Sequence, residues 1–230
     1  MNKYIQVIKD LDLAAVKETI ARAPKWLEWA EPDGKNALHY LCGVPIEQHP
    51  GKEETSLQML KLLLKSGMDI DSIHRIPERG GYFPGTPLWY AYTRGRNVKL
   101  YTYLLSKGAN PQNCMHAITW YDDAKAATLF KKYGALIDGP PGMDSPLMAA
   151  FAWKKFKMAA WLLKNGAEVD AVDQKGATAL FHSVRRKYDV AHIKLLVKFG
   201  ADPDKQNHDG KSPRKLASSY RDKTIVNIFS

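Results

Sequence analysis

The side chains with the widest chemical reach in this 230-residue sequence are seven histidines and two cysteines. The histidines are His39, His49, His74, His116, His182, His192 and His208, and no two stand three or four residues apart. No helix can therefore present two of them to one metal ion from adjacent turns. Cys42 and Cys114 lie far apart and have no activating base beside them in the chain. Two such residues make neither a disulfide framework nor a four-ligand zinc site, so both read as packed thiols in a reducing, cytoplasmic compartment. Gly210-Lys211-Ser212 has the ending of a phosphate loop, but that loop needs a glycine where Lys205 stands. Neither a Gly-x-Ser-x-Gly elbow nor a His-Glu-x-x-His helix occurs. The expectation is a chain that is not an enzyme and uses no metal or cofactor.

Binding chemistry is better supplied. The sequence holds six Trp, 11 Tyr and seven Phe, and its formal net charge is +10. Residues 1–115 carry 15 basic and 12 acidic side chains, and residues 116–230 carry 19 and 12. Tyr, Trp and Arg dominate binding hot spots because they bury a large area with few rotamers. A positive field favours acidic partners. The basic residues form no long Lys/Arg run, so an acidic protein is the first expectation. Nucleic acid, held by phosphate contact and base stacking, is the alternative. Apolar residues are 45% of the chain and charged residues 25%, which excludes global disorder. No run of about 20 apolar residues is present, so membrane insertion is not expected. The N-terminal stretch carries Lys3, Lys9 and Asp10 and shows no secretory signal.

The elements that must position these groups repeat. Helical runs end in Gly67-Met68, Gly108-Ala109, Gly134-Ala135, Gly166-Ala167 and Gly200-Ala201, with glycines 41, 26, 32 and 34 residues apart. A glycine there closes a helix in the left-handed conformation, which costs other residues about 1–2 kcal/mol. A second element begins at Asn36-Ala37-Leu38-His39, Thr86-Pro87-Leu88, Ser145-Pro146-Leu147, Thr178-Ala179-Leu180 and Ser212-Pro213. Each begins a helix: a Ser, Thr or Asn cap precedes it, and Pro suits the first helical position because no amide is lost.

With these caps, Gly166-Ala167-Glu168-Val169-Asp170 and Gly200-Ala201-Asp202-Pro203-Asp204, the chain resembles the ankyrin repeat family, whose period is about 33 residues. The resemblance implies an all-α solenoid of about seven helix–turn–helix units with finger loops, in one domain over residues 1–230. The units fall near 1–28, 29–72, 73–112, 113–138, 139–172, 173–206 and 207–230. The last unit is expected to end in a helix over Lys223–Phe229. The resemblance also implies a monomeric protein-binding module, acting as an inhibitor, adaptor or effector through a concave groove lined by first helices and fingers. His39 takes the place of the family histidine that steadies the neighbouring turn. The groove candidates are Tyr90, Arg94, Trp120, Trp153, Lys154, Arg185 and Arg186.

Trp153 and Arg186 each follow their helix caps by eight residues, and Tyr90 follows Thr86 by four. On a helix, offsets of four and eight differ by about one turn, so all three are expected to face one way. Two stretches depart from the repeat. Gly43–Thr55 lengthens the turn inside the second unit, and the loop His74–Gly85 lengthens the finger before the third. Both are expected to lie outside the packed core.

Overall fold

The computed structural model describes residues 3–140, 143–221 and 223–229. They form α1 (Lys3–Lys9), α2 (Leu13–Arg22), α3 (Ala37–Cys42), α4 (Glu53–Lys65), β1 (His74–Glu78), β2 (Gly81–Gly85), α5 (Pro87–Thr93) and α6 (Val98–Ser106). Then follow α7 (Met115–Trp120), α8 (Ala124–Lys132), α9 (Pro146–Ala152), α10 (Phe156–Lys164), α11 (Ala179–Arg185), α12 (Val190–Lys198), α13 (Pro213–Ser218) and α14 (Lys223–Val226). These are helix pairs in the expected order, although the last helix stops at Val226.

The first helix of a pair starts where its cap captures a free amide. Thr86, Ser145, Thr178 and Ser212 accept through their hydroxyl oxygens from the amides of Trp89, Met148, Phe181 and Lys215 at 3.1–3.3 Å. Asn36 accepts from Leu38 and His39, and the His39 ring answers by taking the Asn36 amide. Asp12, Asn97 and Asp123 cap second helices in the same way.

Packing divides the chain into two compact units, Met1–Cys114 and Met115–Ser230. Within the first, α3 packs on α1, α4 and α5, and α4 also packs on α2 and α6. Leu38, Leu41, Met59, Leu60, Leu63 and Leu88 are fully buried there. Within the second, α9 packs on α7, α10 and α11, and α11 packs on α12 and α13. Its largest fully buried side chains are Phe130 and Phe151. Each buried side chain of this size contributes about 1.5–3 kcal/mol, and no pair could bury its face alone. Cys42 and Cys114 are fully buried free thiols whose pKa values burial pushes up.

Second helices close on the expected glycines. Gly134 and Gly166 both hold φ +90°, and the amides of Ala135 and Ala167 reach back to the carbonyls of Phe130 and Leu162 at 3.1 Å. A Cβ at either glycine would meet nothing within 4 Å. Gly134→Val and Gly166→Val are therefore expected to cost about 1–2 kcal/mol through backbone strain alone. Urea denaturation measures it, and an unchanged midpoint would remove this role from the glycine.

The finger His74–Gly85 is ordered as a hairpin where the sequence reading expects a loop. β1 and β2 pair antiparallel from His74↔Gly85 to Glu78↔Gly81, turning through Arg79 and Gly80, whose φ is +89°. Pro77 and Pro84 do not obstruct it. Arg75 pairs opposite Pro84, yet its amide donates outward to the Asp33 carbonyl at 2.7 Å. Pro77 has the same parity as Arg75, so both prolines sit where the ladder needs no donor. The stretch Gly43–Thr55 is also tied in. Val44 is buried, Ile46 donates to the Gly95 carbonyl at 3.0 Å, and residues from Glu53 onward already belong to α4. This corrects the expectation that both departures lie wholly outside the core.

Candidate functional site

Short first helices put different residues in very different places. In the second unit α9 ends at Ala152 and α11 at Arg185, so Trp153 and Arg186 are the residues that cap them. Trp120 ends α7. Side chains at a helix end project beyond the packed face, and these do so one repeat apart. Trp120 is 52% exposed and Trp153 38%. Their ring centroids are 5.1 Å apart in an edge-on arrangement, a geometry that aromatic quadrupoles favour. The Lys155 ammonium lies 5.5 Å from the Trp120 centroid. Arg186 donates to the Tyr188 hydroxyl oxygen at 3.2 Å and to the Ala152 carbonyl at 3.5 Å, which fixes its guanidinium at the turn after α9.

Beside this row lies a cavity of about 510 Å³, lined by Met143, Met148, Ala149, Trp153, His182 and Arg186 among others. Its apolar part comes from the two methionines, Ala149 and the Trp153 ring. Its polar end is organised around His182. Nε2–H donates to Asp173 at 2.7 Å, and Nδ1 accepts from Arg185 at 3.0 Å. Burial raises the Asp173 carboxyl, but the amides of Ala177 and Lys175 and the His182 ring outweigh it and hold the carboxyl below the usual carboxylate range. Arg185 is thus engaged with His182. Lys154 is exposed at φ +57°, with its ammonium 5.9 Å from the Tyr188 ring.

Tyr90 departs from the expected row. It lies inside α5, is only 7% exposed, and meets His74 Nδ1 through its hydroxyl at 2.6 Å. The turn arithmetic fails because α5 ends at Thr93. Four residues after the cap is a packed helical position facing the hairpin, whereas eight is the exposed helix end, where Arg94 stands. The buried set around Tyr90 links the hairpin to the turn before α3. His74 Nε2 donates to Asp33 at 3.0 Å, and the fully buried His39 donates from Nε2 to the carbonyls of Ser72 and Gly85, each at 3.1 Å. Sequence reasoning missed Met143 and Lys155. No local pattern signals either one, because their roles come from neighbours one repeat away.

A family model described as ankyrin repeats, in three copies, matches residues 147–230. The chain is 34% identical over 155 residues to the phosphocholine transferase AnkX of Legionella pneumophila, covering 62% of this chain and 16% of that protein. It is 30% identical over 137 residues to a putative ankyrin repeat protein of Rickettsia bellii, covering 56% of this chain and 57% of the other. The chain therefore spans less than two thirds of either relative. The crystal structure of the ankyrin repeat domain of Bcl-3, a member of the IkappaB protein family, superposes with a TM-score of 0.75 at 20% identity, over 100% of this chain and 98% of that one. At that identity the likeness concerns fold. Residues 147–230 are ankyrin repeats by sequence, and the chain as a whole has the fold of an ankyrin repeat domain.

Proposed function

We propose that this chain is a non-enzymatic module that binds an acidic segment of another protein on the exposed face of its second unit. Ankyrin repeats are general protein–protein interaction modules. The observation that carries the finer reading is the row Trp120–Trp153–Arg186, two exposed edge-on indoles followed by a guanidinium held in place by Tyr188. The indoles supply apolar contact, and a guanidinium meets a carboxylate through paired hydrogen bonds. The excess of basic over acidic side chains in residues 116–230 raises the association rate with such a partner.

The test uses peptides selected from an unbiased display library against the full chain. The expected winners carry Asp or Glu beside a large apolar residue. A chain with Trp120→Ala, Trp153→Ala and Arg186→Ala together should keep its far-UV circular dichroism and bind them at least tenfold more weakly, about 1.4 kcal/mol. Neutral or basic winners, or undiminished binding by the triple variant, would reject the reading. Tight binding of single-stranded DNA at physiological salt, lost in the same variant, would assign the row to nucleic acid instead.

A further inference from the structure

The first unit holds a second cavity, of about 440 Å³, with a different character. Its lining includes Lys9, Lys35, Tyr40, His49, Tyr90 and Arg94. Three basic side chains line it, with no carboxylate among the lining residues. Two carboxylates stand behind the lining, and their charges reach the Tyr40 and Tyr90 rings. Glu31 accepts from the Tyr40 hydroxyl, and Asp33 holds His74 and the Lys35 amide.

Two features show that this is more than a scatter of surface lysines. The first is Lys35. Its half-buried ammonium lies 4.5 Å from the Tyr40 centroid and 5.8 Å from that of Tyr90, and the Lys9 ammonium lies 5.0 Å from the same Tyr40 ring. Two like charges are thus gathered on one aromatic ring, an arrangement that a bound anion would stabilise. The second is the wall. Gly43, Val44, Pro45, Gln48 and His49 line the cavity, and all belong to the stretch that lengthens the turn between α3 and α4. The Ile46–Gly95 hydrogen bond fastens that wall to the turn carrying Arg94. The departure from repeat spacing therefore builds the enclosure.

We propose that this cavity binds a phosphate monoester group, through Lys9, Lys35 and Arg94, with the rings of Tyr40 and Tyr90 beneath it. A phosphate monoester carries about −1.5 to −2 charges at neutral pH and offers three acceptor oxygens. That suits three converging cations better than the single charge of a carboxylate. The volume exceeds that of a bare ion and leaves space for the group to which the phosphate is attached. Two sources share this chemistry, a phosphorylated protein side chain and a small phosphorylated polyol. The site is separate from the second-unit row, so either assignment can fail alone.

The test records amide and Lys35 side-chain NMR shifts of the full chain on titration with a phosphoserine peptide, its unphosphorylated form, glycerol phosphate and acetate. Saturating shifts confined to residues around Lys9, to 35–49 and to 90–95 are expected with the two phosphorylated probes, and binding at least tenfold weaker with the others. The tighter of the phosphorylated probes identifies the source. Lys35→Met should weaken binding at least tenfold. Arg94→Gln, at an exposed position, should weaken it severalfold with the thermal midpoint unchanged. Shifts that do not saturate, acetate binding as tightly as phosphate, or both variants binding like the natural chain would overturn the proposal.

Discussion

A His39→Ala chain is expected to lose about 3 kcal/mol of stability at neutral pH. His39 is fully buried. Its Nδ1 takes the Asn36 amide at 3.2 Å, and its Nε2–H is shared between the carbonyls of Ser72 and Gly85. Truncation removes one side chain, leaves a void, and orphans three backbone groups that belong to three separate segments. Each buried unpaired group costs about 1–3 kcal/mol, and the void adds to this. The same residue gives the natural chain an acid-sensitive stability. Burial, with the nearby His74 and Lys35, pulls the His39 pKa from 6.5 to about 4, against the opposing hydrogen bonds to Gly85 and Ser72. Above pH 6.5 the ring is neutral in both folded and unfolded chains. As pH falls from 6.5 toward 4, the unfolded chain takes up a proton that the folded one refuses. His39 therefore lowers stability progressively across that window, by roughly 3 kcal/mol at its end. Asp33 and Asp173, held below the usual carboxylate range, withdraw their own contributions only below about pH 4. Urea midpoints measured between pH 7 and 4 should fall less steeply in His39→Ala than in the natural chain. Parallel slopes would refute the assignment.

Gly95→Ala is expected to destabilise the first unit by about 3 kcal/mol, at the upper end of overpacking penalties. A Cβ at Gly95 would lie 2.1 Å from the Cys42 carbonyl oxygen and 3.3 Å from that of Val44. Both obstacles are backbone, at the end of α3 and the start of the cavity wall, so neither can swing aside as a flexible side chain would. The displaced turn must also weaken the bond from the Ile46 amide. Hydrogen exchange at Ile46 should quicken, and the urea midpoint should fall without change in slope. Gly134→Ala is the control, since its Cβ meets only open space and its cost comes from φ alone. If Gly95→Ala proves no more damaging than that control, the close approach is not a constraint on the fold.

The second of these glycines illustrates what a linear reading captures. Gly134 and Gly166 were legible because a helix stop is a local event, set by one residue's φ and two backbone bonds. The caps Asn36, Thr86, Ser145, Thr178 and Ser212 were legible for the same reason. Their spacing then delivered the order of helices, and the resemblance to ankyrin repeats supplied the fold class. The hairpin over His74–Gly85 was not legible, because its two prolines argue against a strand until the pairing parity is known.

Among the candidate residues, sequence alone determined which side chains stand at helix ends. It offered Trp153, Arg186 and Tyr90 as one row, with Trp120 and Arg94 among the wider candidates. The structure sets the Trp120 and Trp153 rings edge-on, puts Trp153 and Arg186 on one cavity and puts Arg94 on another. Tertiary structure decided that Tyr90 is enclosed by His39, His74 and the hairpin. It also gathered Lys9, Lys35, His49 and Arg94, distant in the chain, around one cavity. Helix starts and stops depend on hydrogen bonds within a few residues. Exposure and the meeting of charges depend on which distant segments pack together, and no spacing along the chain encodes that.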